Sequence, residues 1–174
     1  MKKKEVYFFE RQRQRQWWLW LILTGISLMF VAGSIRQIGF NKPFGNNPVS
    51  DAGLISRTAI LALFTFAFLA GSLKTLINRE GIYVRLTPFM FRYKFYGWES
   101  ISAVHIRKYN PLGEFGGWGL RRRHSGIICC TVSGKTGLEF VLKNGKRMLV
   151  GTRQPDHLKT VLINLGRMEQ EGNG

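Results

Sequence analysis

Two uncharged apolar blocks constrain this chain more than any other feature. Trp17 to Ile35 runs for nineteen residues without a charge, and Thr58 to Leu73 runs for sixteen. At 1.5 Å rise, nineteen helical residues cover about 28 Å, close to the roughly 30 Å of a bilayer's hydrocarbon core. The second block reaches that length only if Lys74 snorkels and the helix continues to about Ile77. Its Leu61, Leu63, Phe64, Phe66, Phe68 and Leu69 cover every helical face, which suits lipid better than a one-sided core. A secretory signal peptide has an apolar region of roughly 7–15 residues. The first block is longer and opens on Trp17, Trp18 and Trp20, the aromatic cluster of a membrane–water interface. The expected organisation is a basic N-terminal segment (1–16), two transmembrane helices (17–35 and 57–77) joined by an external loop (36–56), a folded domain (78–169) and a short tail (170–174).

Charge sets the orientation. The chain carries 26 Lys and Arg against 10 Asp and Glu, a formal +16. Six basic residues precede the first span, three lie in the 36–57 connection, and Lys74, Arg79, Arg85, Arg92 and Lys94 follow the second. Cytoplasmic loops hold the excess of Lys and Arg, so both termini are expected in the cytoplasm of a multi-pass protein. The "RQRQRQ" run before the first span reads as a headgroup-contacting anchor.

Beyond residue 78 the pattern changes to short strand-like runs, at about 73–78, 82–86, 91–96, 102–109, 126–132, 137–143 and 146–152. Asn144-Gly145 suggests a two-residue hairpin turn that sets Phe140 against Leu149 and Val141 against Met148. In that register Val141, Met148 and Val150 share one face, and one face of the hairpin needs a cover. "SGKTG" (133–137) and "REG" (79–81) read as further turns. Pro155 and Asp156 then open a helix whose Leu158, Val161, Leu162, Leu165 and Met168 form one apolar stripe. Cys129 and Cys130 are adjacent, so on a strand they point to opposite faces and do not pair; a reduced, partly buried role is expected.

Seven strands followed by one amphipathic helix describe a small β-barrel or roll. "REGIYVRLTPF", "WESI" (98–101), "IRKYNPLGEFGGWGLR" and "GKRMLVGTRQPDHL" resemble the bacterial membrane-anchored pleckstrin-homology-like proteins, over roughly residues 70–165. The resemblance implies an α+β fold: a two-helix transmembrane hairpin followed by a seven-stranded pleckstrin-homology-like barrel or roll with a C-terminal amphipathic helix. It also implies a bacterial inner membrane. It carries no activity that transfers residue by residue.

The residues themselves argue against an enzyme. His105, His124 and His157 show no pattern linking them to a serine or to either cysteine, and there is no HExxH, phosphate-cradling Gly-x-x-x-x-Gly-Lys or close carboxylate pair. No catalytic residue, cofactor or metal site is expected. Residues 78–174 hold 16 Lys and Arg against 7 Asp and Glu, a +9 domain tethered beside a leaflet whose anionic lipids attract each nearby cation by about 1 kcal/mol. No zinc, helix-turn-helix or RNP-like motif points to nucleic acid. The candidate binding residues are Trp118, Arg121, Arg122 and Arg123, in the glycine-rich loop "GEFGGWGLRRRHSG" (113–126). There Trp118 either lids the barrel or inserts at headgroup level, and the arginines either engage phosphate or form a solvated run. The function expected is non-enzymatic binding or scaffolding at the cytoplasmic membrane face, with anionic lipid contact. The alternative is an adaptor, homo-oligomer or complex subunit without a lipid-reading role.

Overall fold

The computed structural model describes residues 5–13, 17–45, 49–123 and 126–168. The chain divides into two compact units, Gln16–Ala70 and a second formed by Met1–Arg15 together with Gly71–Gly174.

The smaller unit is a helix pair. Helix α1 spans Trp17–Ser34 and runs on through a π-helical turn, Ile35–Gly39; α2 spans Asp51–Leu69. Both are long and apolar enough to cross a membrane. Leu21, Leu28, Leu63 and Phe66 are each exposed. Polar contacts join the two helices: Ser27 and Thr65 hydroxyls lie 3.0 Å apart, as do those of Ser34 and Thr58. Such pairs hold helices together in lipid, where apolar contact alone gives no preference. The Phe44 ring closes over Gly33, where any Cβ would come within 2.7 Å of it.

The second helix corrects the expected 57–77 boundaries. It begins six residues earlier because Ser50 caps it, its hydroxyl accepting the Gly53 N–H, with Asp51 in the first turn. It also ends earlier. Lys74 is not a snorkelling helical residue but lies in a strand, because Leu73, Thr75 and Ile77 alternate into a sheet core.

In the larger unit, β1 (Val6–Arg13), β2 (Ser72–Asn78), β3 (Gly81–Thr87) and β4 (Lys94–Gly97) form an antiparallel sheet in that order. The second sheet contains β5 (Ile101–Lys108), β6 (Gly119–Arg122), β7 (Ile127–Thr131), β8 (Thr136–Leu142) and β9 (Arg147–Thr152). Its order is β5-β8-β9-β7-β6, and β7 runs parallel to β9. A short helix α3 (Pro111–Phe115) follows β5, and α4 (Pro155–Asn164) follows β9. The fold is thus α+β, with two apolar helices and a sheet-rich domain.

All seven expected strands are present, but nine occur among the described residues. The two additions, β1 and β6, had weak signals. In β1 the inward positions are Phe8, Glu10 and Gln12, so the polar residues lie inside and Phe9, Arg11 and Arg13 point out. Strand β6 is a four-residue edge containing two arginines. The "RQRQRQ" reading is corrected in part. Arg11 to Arg13 belong to a sheet strand, and Gln12 is buried with its amide donating to the Gly151 carbonyl at 2.7 Å. Residues 14–16 lie outside the described residues.

One core joins both sheets and α4. Phe8, Ile77, Ile82 and Tyr96 cross the first sheet side by side and meet Leu138, Phe140, Met148 and Val150 of the second, with Leu158, Val161 and Leu162 of α4. Glu10 fastens the N-terminal strand to the start of α4, accepting from the Thr152 hydroxyl at 2.7 Å and the Arg153 N–H at 2.8 Å.

The β8–β9 hairpin slips by one residue from its expected register. Phe140 faces Met148, and Glu139 faces Leu149. The connection has three residues, Lys143-Asn144-Gly145, with Gly145 left-handed at φ 78°. A type I turn closed by a left-handed glycine favours this longer loop over a two-residue one. The slip exchanges faces: Phe140, Met148 and Val150 share the main core. The opposite face is also covered, since Leu149 packs with Tyr109, Phe115, Ile127 and Cys129 in a second, smaller core. "SGKTG" proves to be a crossover, because β9 lies between β7 and β8. "REG" is a tight turn, its Glu80 and Gly81 N–H groups donating to the Asn78 side chain.

Candidate functional site

The segment 113–126 resolves into three local structures. Asn110 caps α3, its side-chain oxygen accepting from Leu112 and Gly113 N–H, and Gly116 ends the helix at φ 68°. Phe115 is buried in the smaller core. Gly117 and Gly119, both at positive φ, carry the chain into β6, which pairs with β7. His124 and Ser125 lie outside the described residues.

Trp118 is half-buried, and its indole N–H is shielded without an acceptor. Arg121, Arg122 and Arg123 are all exposed. Arg121 pairs with Cys129 and Arg122 with Ile128, so these neighbours project to opposite faces of the edge strand. Arg121 and Arg122 therefore do not present their guanidinium groups from the same face of β6, and Arg123 follows the end of the strand.

Beside them lies a charged cluster that sequence reasoning missed. Glu139 is 1% exposed and ion-paired with both Arg107 and Arg147, while Arg107 also reaches Glu114 at 3.0 Å. Burial opposes the Arg107 charge, yet the two carboxylates hold its pKa above the usual value. The cluster neutralises itself and holds α3 against β5, a structural task. Its sequence signal was present only in register: Arg107, Glu139 and Arg147 become neighbours once β5, β8 and β9 are aligned.

Among the described residues the histidines and the adjacent cysteines lie apart on separate elements. His105 and His157 are exposed on different elements, the first facing Glu139 across β5 and β8, the second 5.4 Å from the Phe8 ring. Cys129 and Cys130 are unpaired and fully buried, and burial pushes their thiols up to about 11 and about 12, away from nucleophilic use. Among the described residues no cluster of three His, Cys, Asp or Glu side chains is disposed to hold a metal. An open cleft lined by Arg79, Glu80, Trp98, Glu99 and Arg167 balances cations with carboxylates, and Arg167 lies over the Trp98 ring at 5.1 Å.

The outward face of the first sheet is the other unanticipated feature. Phe9, Leu76, Tyr83 and Phe95 form one cross-strand row, and Arg11, Lys74 and Arg85 form the next on that face. No family model matches the chain, nor does any curated protein or solved structure.

Proposed function

We propose that this chain is a non-enzymatic integral membrane protein of a bacterial inner membrane, with both termini cytoplasmic and a pleckstrin-homology-like domain that binds or scaffolds at the membrane face in contact with anionic lipid. One observation carries the reading. Strands β1 and β2 lie on either side of the apolar helix pair in sequence, yet they pair antiparallel in one sheet, from Val6–Asn78 to Arg13–Ser72, with one register shift between Val6 and Phe8. If α1 and α2 each cross the bilayer, this pairing requires the chain before α1 and the chain after α2 to be on the same side. The charge distribution then selects the cytoplasm. Two packed sheets with a C-terminal helix against their shared core support the pleckstrin-homology-like reading, with β1 and β6 added to its seven strands. The adaptor alternative gains nothing from the β8–β9 hairpin, both of whose faces are covered within the domain.

The test is membrane extraction combined with tag accessibility on the full chain. The protein should stay in vesicles through alkaline carbonate, and tags at both ends should be reachable only after the cytoplasmic face is opened. Release by carbonate, or a single tag reachable from outside, refutes the proposal.

A further inference from the structure

At one end of the first sheet, each strand is either next in sequence to a helix of the apolar pair or adjoins an exposed aromatic loop. Arg13, Ser72 and Thr87 are cross-strand neighbours there. Arg13 is four residues before Trp17 and Ser72 three residues after Leu69, so β1 and β2 join α1 and α2 from this end. Strand β3 leaves from the same end into "PFMFRY" (88–93), where Phe89 is 62% and Phe91 86% exposed, with Arg92 exposed between Phe91 and Tyr93. Two phenylalanines at the tip of a loop gain nothing from water, and unlike an isolated surface side chain they sit beside a charged patch.

That patch is the row Arg11, Lys74 and Arg85, two residues in from the strand ends, or about 7 Å at the rise of a strand. Like charges directly opposite one another across strands are destabilising unless something neutralises them. No Asp or Glu occupies the outward positions of β1 to β4; Glu10 of β1 points inward. Arg85 has its Nε shielded without an acceptor, and its guanidinium rests over the Tyr93 ring at 5.0 Å. Desolvation, then Arg85, Arg11 and Arg13, depresses the Lys74 pKa, so the row is short of an anion.

We propose that this end of the first sheet is the bilayer-contacting surface of the domain, with Phe89 and Phe91 inserted among the lipids and Arg11, Lys74 and Arg85 binding the phosphates of anionic lipid in the same leaflet. The inference rests on the membrane reading above and deepens it by moving the contact from the 113–126 segment to the β3–β4 loop. Chain connectivity puts the leaflet within reach, charge complementarity selects its anionic lipids, and the aromatic tip supplies the apolar anchor.

The test uses the full chain in nanodiscs, either of phosphatidylcholine or of phosphatidylcholine and phosphatidylglycerol in equal parts. A nitroxide is attached to Phe91→Cys, and its collisions with lipid-soluble oxygen and with a water-soluble nickel chelate are compared. In the anionic discs the label should favour oxygen over nickel, whereas one at Lys146→Cys should favour nickel over oxygen. Arg11→Gln with Arg85→Gln should remove that preference. A label as open to nickel as the reference overturns the proposal, and one shielded from both reagents signals a protein partner and overturns it equally. Insertion that ignores phosphatidylglycerol or survives the arginine substitutions overturns the phosphate-binding row. A parallel label at Trp118→Cys separates the two readings. If position 118 enters the anionic discs and position 91 does not, lipid contact stands and this surface is wrong; if neither enters, lipid contact itself fails.

Discussion

Phe8 and Phe9 are neighbours in sequence with opposite structural fates, and substituting each by alanine measures whether the N-terminal segment is part of the domain. Phe8 is 1% exposed, lies against Ile77 in the sheet and stacks near His157 of α4. Removing a buried phenylalanine costs about 3–5 kcal/mol through lost transfer energy and the cavity left behind. That is a large share of the roughly 5–15 kcal/mol that stabilises a domain. Phe9 is 52% exposed on the outward face, so Phe9→Ala should cost no more than about 1 kcal/mol. Amide hydrogen exchange of the full chain in nanodiscs reads the difference directly. At 1.36 kcal/mol per factor of ten, amides of β2 and α4 should exchange about 150- to 5000-fold faster in Phe8→Ala and within about five-fold of the parent in Phe9→Ala. Equal effects from the two substitutions would mean that β1 is not docked as described, and the same-side argument built on it would fall.

Because Arg13 and Ser72 are cross-strand partners, a short Asn-Gly-containing turn in place of residues 14–71 should yield a water-soluble domain that unfolds cooperatively by circular dichroism, whereas a fragment of residues 78–174, lacking β1 and β2, should not fold; a cooperative 78–174 fragment refutes this. The buried thiols set a pH dependence. With Cys129 and Cys130 raised to about 11 and about 12 against an ordinary 9.0, unfolded chains release these protons first, so stability is fully present below pH 9.0 and falls as pH rises toward 12. Iodoacetamide at pH 9.0 should therefore modify neither cysteine until denaturant is added, and mass spectrometry of the native protein checks it.

How much of this could be read from the residues depended on where polar side chains pointed. Strands whose inward positions are apolar, such as β2 with Leu73 and Ile77 or β3 with Ile82, Val84 and Leu86, declared themselves through alternation. Strand β1 alternates just as strictly, but two of its inward residues are Glu10 and Gln12, and a hydrophobic pattern cannot register a carboxylate buried for its bonds to Thr152 and Arg153. The β8–β9 hairpin was recognised and its register missed by one, since Asn144-Gly145 suits both two- and three-residue loops and only the packing of Phe140 against Tyr96 decides between them.

The same limit governed the search for a site. Consecutive arginines at 121 to 123 attract attention in a linear sequence, although the pleat directs Arg121 and Arg122 to opposite faces. Arg11, Lys74 and Arg85 are scattered over seventy-five positions and form one row only after three strands are set in register. Chemistry that depends on rows across a sheet is invisible until the pairing is known, and here the decisive pairing spans the apolar helices. A strand contributed from before α1 both completes the core and supplies the first cation of the row, which ties the domain's stability to the surface it presents.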